Sequence, residues 1–123
     1  MLVEIHQVDD MGNVFTLKEP LFVEWHGRRL TVPAGFKSDG ASVPRAFWRL
    51  VFPSSDNSAF RAAFVHDYIY RTHPLDWTKE DADDLFYDFL VEDGIPKWRA
   101  WMAYTAVDWF GRHAWNDMGG AAA

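Results

Sequence analysis

The chain opens with apolar positions that recur at every second place. Leu2, Glu4 and His6 alternate with Val3, Ile5 and Gln7, which is the period of a strand. Val14 to Leu17 is short and rich in β-formers. Leu21 to Trp25 and Arg29 to Val32 flank His26-Gly27, a turn signal for a hairpin, and Pro33-Ala34-Gly35 closes the strand region. The pattern predicts a small antiparallel meander of three or four strands.

The period then lengthens to that of a helix. Pro44, with Ser42 or Val43 just outside, opens a short helix to about Val51, and the Pro53–Asn57 stretch breaks it. Ser58 caps a helix running to about Arg71. Thr78 caps the next, with Asp81 completing a carboxylate version of the capping box; that helix stops near Asp93 with Gly94 beyond its end. Pro96 opens a last helix reaching roughly His113. The fold class is therefore α+β: a small N-terminal antiparallel sheet, then a packed bundle of one short and three longer helices. Residues 1–118 read as a single domain and 119–123 as a frayed tail. On the last helix Trp98, Trp101, Met102, Thr105 and Trp109 share one face, while Ala100, Ala103, Val107 and Phe110 share another. A helix apolar nearly all round is usually central to a core, so these Trp residues are assigned to the core with Phe60, Phe64 and Phe86. Trp25, Trp77 and Trp115 are left for a contact surface.

Composition narrows the function classes. The 123 residues carry 12 Lys plus Arg against 18 Asp plus Glu, a net charge of −6, which argues against a nucleic-acid partner. There is no Cys, hence no disulfide, thiolate nucleophile or Cys-ligated zinc. No run approaches a transmembrane span, and the first residues lack the marks of a signal peptide. The chain reads as soluble and made in the cytoplasm. Aromatic content is 17%, with 7 Trp, enough to supply a large core for this length.

One constellation carries candidate chemistry. His66 and Tyr70 lie one turn apart on one helix, with Asp67 about 100° round from His66 and Arg71 at i+4 from Asp67. On the following helix Asp81, Asp84 and Asp88 mark a solvated face, but Asp83 aligns with Phe86, Tyr87 and Leu90. A carboxylate on an apolar face needs a partner. A short connection makes the two helices antiparallel, which sets Asp83 opposite His66, where it would fix the imidazole tautomer and raise its basicity. The Asp39-Gly40-Ala41-Ser42 loop is the third element. Together these residues suit general-base activation of water, or a divalent cation held by oxygen and imidazole ligands. A structural reading stands beside each: Asp39 and Ser42 as turn and cap, His66–Asp83 as a buried pair, Asp67–Arg71 as an ion pair. His6, His26, His73 and His113 have no metal-ligand spacing and read as surface or packing residues.

Phe36-x-x-Asp39-Gly40-Ala41-Ser42-Val43-Pro44-Arg45, Trp48, His66-Asp67-Tyr68-x-Tyr70, Ala82-Asp83-x-x-Phe86 and Phe110-Gly111 resemble the domain of unknown function 1353 family, small proteins common in phage and prophage genomes. The resemblance spans about residues 14–115. It implies a phage setting and supplies no activity; its first motif adds Arg45 to Asp39 and Ser42 as candidate binding residues. In site geometry alone, the His-Asp-x-x-Tyr helix with an Asp on its neighbour is also similar to secreted phospholipase A2. That likeness implies His66 as base, Asp67 as a ligand of one divalent cation such as calcium, and Asp83 with Tyr70 as the orienting pair; the loop reading adds Asp39 as a second candidate ligand.

Two functions follow as expectations. The first is a small phage accessory protein, a virion or tail component or an assembly factor, whose partners are other virion proteins. The second is a small phage hydrolase acting on lipid or cell-wall material through His66, Asp83 and Tyr70. Inhibition of a host protein by binding it is a further alternative.

Overall fold

His26 and Gly27 both take positive φ, 50° and 75°. This is the left-handed pair that a tight hairpin needs, because its twist matches that of the flanking strands. The computed structural model describes residues 3–7, 13–38 and 60–122. The chain separates into two units, Met1–Asp39 and Gly40–Ala123.

In the first unit the strands are β1 (Val3–Gln7), β2 (Asn13–Leu17), β3 (Leu21–Trp25), β4 (Arg28–Val32) and β5 (Lys37–Ser38). They do not form the single meander that the sequence predicts. β1, β2 and β5 make one antiparallel sheet with β2 in the middle, and β3 and β4 pair only with each other. The cause lies at Lys18-Glu19-Pro20, where the chain leaves β2 in a bend and Pro20 has no N–H to give a ladder. β2 instead takes β5 as neighbour, with Phe15 opposite Ser38 and Thr16 opposite Lys37. Backbone bonds from Leu17 N–H to Phe36 O (2.9 Å) and from Gly35 N–H to Leu17 O draw the chain back to β2, past the point where Pro33-Ala34-Gly35 looked like the end of strand structure. The hairpin keeps a clean alternation: Val23, Trp25 and Val32 are buried, whereas Phe22 and Glu24 face out.

The second unit contains α1 (Phe60–Thr72), α2 (Lys79–Glu92) and α3 (Lys97–Ala122). The three longer helices are present and the architecture is α+β. The short helix expected over 44–51 and the cap at Ser58 lie outside the described residues. Thr78 and Asp81 form the reciprocal capping box at the start of α2, each side chain meeting the other's backbone N–H at 3.1 Å. At its end Gly94 has φ 104°, its N–H bonds to Val91 O at 3.1 Å, and Ile95 N–H bonds to Leu90 O at 2.9 Å. This is the Schellman arrangement, and Ile95 is buried as its hydrophobic contact. Pro96 O accepts the first bond of α3, from Ala100 N–H at 2.9 Å. α3 then continues past His113 to Ala122, through the Gly119-Gly120 pair.

Contacts fix the directions of the helices. Arg61, at the start of α1, meets Asp93 at the end of α2, while Tyr70 meets Asp83 near the start of α2. α1 and α2 are thus antiparallel. Tyr87 packs edge-on to Tyr104, and Lys79 reaches Asp108, so α2 and α3 are antiparallel too. Phe64, Ile69, Leu85, Phe86, Phe89 and Val107 fill the core.

The tryptophans are distributed opposite to the sequence expectation. Trp98, Trp101 and Trp109 are 60–64% exposed, whereas Trp25 and Trp77 are buried and Trp115 is half-buried. Hydropathy cannot separate two apolar faces of one helix, but size can. α3 turns its small face inward, with Ala100, Ala103, Ala106, Val107 and Gly111 all buried. That choice brings its backbone close to α1 and α2 and leaves no room there for indole rings.

Candidate functional site

His66 lies one turn from Tyr70 on α1, and Asp83 lies one turn from Lys79 on α2. The antiparallel packing brings the four together. His66 Nε2 is 2.8 Å from Asp83 Oδ1, and the Tyr70 hydroxyl donates to the same oxygen at 2.8 Å. Lys79 Nζ donates to Asp83 Oδ2 at 2.7 Å and to Asp108 Oδ1 on α3 at 3.0 Å. The His66 ring tilts against Tyr70 (4.3 Å between centroids) and Phe86 (5.0 Å). Tyr70 meets the edge of Trp115, which stacks on His73 at 3.7 Å.

The electrostatics follow from this donor set. Burial raises the Asp83 carboxyl, but the bonds from His66, Lys79 and Tyr70 outweigh it and hold the group below the usual carboxylate range. Asp83 is therefore an acceptor only, so the hydrogen shared between it and His66 sits on Nε2. Burial, followed by the neighbouring Asp83 charge, pushes the Tyr70 phenol far up, so it stays a donor. Burial lowers the Lys79 ammonium, but Asp83 and Asp108 more than restore it, and its proton is held above the ordinary range.

His66, Tyr70 and Asp83 are thus assembled as the sequence pattern predicts, with the imidazole tautomer fixed by the carboxylate. The cluster is closed to solvent: His66 and Asp83 are each 1% exposed and Tyr70 is 0%. Asp67 is buried as well, and Arg71 Nε reaches its two carboxylate oxygens at 3.2 and 3.1 Å. Among the described residues no group of three or more His, Asp or Glu side chains is arranged to hold a metal ion. Asp39, Ser42 and Arg45 lie outside the described residues.

Three partners of the cluster escape a reading by periodicity. Lys79 looks like an ordinary first-turn residue, and Asp108 is legible only as a charge in an otherwise apolar stretch. Gly111 sits against Tyr70 so closely that a Cβ there would meet the phenol ring. Away from the cluster, Arg61 grips Asp93 with two bonds of 2.8 Å and lies 3.9 Å over the Phe89 ring. Among the described residues no helix is long and apolar enough to cross a membrane.

The family model described as protein of unknown function (DUF1353) matches residues 15–107. The chain is 29% identical over 102 residues to a protein of Sinorhizobium fredii described as uncharacterized protein y4jT, covering 83% of this chain and 28% of that protein. It is 32% identical over 75 residues to uncharacterized protein y4iH of the same organism, covering 61% of this chain and 30% of that protein. The chain thus spans less than a third of the length of these relatives. No solved structure matches it.

Proposed function

From the premise that the chain belongs to the DUF1353 family, whose description carries no activity, we propose that it is a non-catalytic accessory protein of a phage, a virion or tail component or an assembly factor. One observation carries this reading: the only His–Asp–Tyr cluster among the described residues is closed to solvent. A general base has to come within hydrogen-bond reach of the proton it takes. A side chain 1% exposed, in a carboxylate's hold and between two rings, has the character of a fastening between helices. The phage setting is supported by the sequence motifs that resemble this family.

The test is a pair of substitutions, His66→Ala and Asp83→Asn, followed by melting temperature and by mass spectrometry of purified phage particles. Both variants should melt several degrees lower, and the folded fraction should still enter particles or bind its assembly partner. Capture of a host protein in place of virion proteins would turn the role toward inhibition. Variants that melt like the parent and lose function would overturn the fastening role.

A second reading, a small hydrolase of lipid or cell-wall material, is favoured by the orientation of His66, whose Nε2 is held by Asp83 at 2.8 Å. It requires turnover of a phospholipid or peptidoglycan substrate that disappears in a His66 variant of unchanged melting temperature. Absence of turnover in the parent protein excludes it.

A further inference from the structure

On α3, Trp98, Trp101, Met102, Thr105, Trp109 and Arg112 form one continuous exposed stripe. Trp98, Trp101 and Trp109 are exposed by 63, 60 and 64%, and Met102 by 38%. A Trp side chain offers up to about 250 Å², so three of them at this exposure with Met102 present roughly 500 Å². That is near the upper size of apolar patches on ordinary monomers, a range in which patches are commonly functional.

We propose that this stripe is the interface of an antiparallel homodimer, in which α3 of one copy lies along α3 of a second. Three features favour a second copy as the occupant. The first is the order of side chains. In an antiparallel pair centred on Thr105, Trp98 faces Arg112 of the other copy, and Trp101 faces Trp109. Each copy therefore offers a guanidinium to the other's indole and pairs indole with indole, both favourable matches. Arg112 already lies 5.3 Å from the centroid of its own Trp109 ring, so it is placed among these aromatics.

The second feature is the midpoint. Thr105 is the smallest of the six, which lets the two helix axes approach where they cross. Its hydroxyl donates to Trp101 O in its own helix at 2.9 Å, so covering it leaves no polar group unsatisfied. The third is area. Two copies together would remove at most about 1,000 Å² from water, the lower limit for a specific interface, so the dimer is a weak one with micromolar dissociation or weaker. Asp108, at the border of the stripe, accepts from Lys79 at 3.0 Å and so keeps a partner when the stripe is covered.

The absence of Cys makes the geometry directly testable in the full chain. Only a residue on the two-fold axis meets its own copy, so Thr105→Cys should form an intermolecular disulfide under mild oxidation. Trp98→Cys should not, because the two copies of position 98 would stand about 21 Å apart along the axis. Analytical ultracentrifugation should show a monomer–dimer equilibrium that Thr105→Arg weakens at least tenfold without lowering the melting temperature, since the position is exposed. A chain that stays monomeric at about 1 mM overturns the proposal. So does a dimer indifferent to Thr105→Arg, crosslinking at both positions, or a monomer that binds lipid vesicles through the stripe.

Discussion

Replacing a helical glycine by alanine usually stabilises a protein by up to about 1 kcal/mol, because the unfolded chain loses freedom. At Gly111 the sign should reverse. An added Cβ would fall on the Tyr70 hydroxyl, 3.0 Å from Cζ and 3.1 Å from Cε2 of the same ring. Tyr70 has nowhere to retreat: it is fully buried, and its hydroxyl is tied to Asp83 at 2.8 Å. If the ring shifts, a bond to a charged acceptor is lost, costing about 1.5–3 kcal/mol. If α3 shifts instead, overpacking costs about 1–3 kcal/mol. After the helix gain is set against either, Gly111→Ala should destabilise by roughly 0.5–2 kcal/mol. At about 4 °C per kcal/mol for a chain of this size, the melting temperature should fall by roughly 2–8 °C. Thermal and urea melts followed by circular dichroism would measure it. The same substitution in a Tyr70→Phe background should cost less, since the nearest atom is gone, giving a coupling of about 0.5–3 kcal/mol in the double-mutant cycle. A Gly111→Ala protein that melts at or above the parent, or a cycle that is additive, would refute the close fit between α1 and α3.

Stability should fall at both ends of the pH scale. The folded Asp83 carboxyl lies below its ordinary 3.8, so its contribution is present above that value and is lost as pH falls through it toward the folded value. Tyr70 and Lys79 are raised above their ordinary 10.0 and 10.5, so their contributions are present below those values and are lost as pH climbs past them. Melts across pH should show Asp83→Asn flattening the acid limb and Tyr70→Phe the alkaline one. Lys79→Met should cost about 1–3 kcal/mol in urea unfolding at neutral pH, because it strips one of three donors from a buried carboxylate while His66 and Tyr70 remain. Arg61→Lys should lose nearly as much stability as Arg61→Ala, about 1 kcal/mol, since an ammonium reproduces neither the two-pronged grip on Asp93 nor the stacking on Phe89.

The centre of the cluster was legible because Asp83 violates the pattern around it. A carboxylate among Phe86, Tyr87 and Leu90 has to find donors, and the i, i+4 pair His66 and Tyr70 across a short connection can provide two. Lys79 and Asp108 were not legible, because a lysine at a helix start and a lone aspartate have many innocuous placements. The capping box at Thr78 and the glycine stop at Gly94 are local chemistry, and the structure has both. Sheet pairing is not local: the choice of β5 over β3 as partner of β2 depends on a chain reversal 20 residues wide, which no alternation of side chains records. The orientation of α3 turned on volume, since Ala and Trp both count as apolar and only one of them lets helices come together.

The fastening around Asp83 also shapes how the helical unit opens. The carboxylate holds two groups from α1 and one from α2, and Lys79 passes the connection on to α3. A helix that peeled away alone would leave a buried charge short of a partner in the helices that stayed. Partial opening is thereby made nearly as unfavourable as complete unfolding. The slowest amide protons of α1, α2 and α3 should accordingly exchange with solvent deuterium at a common opening free energy, as one cooperative unit, and Asp83→Asn should split that unit into helices that exchange separately.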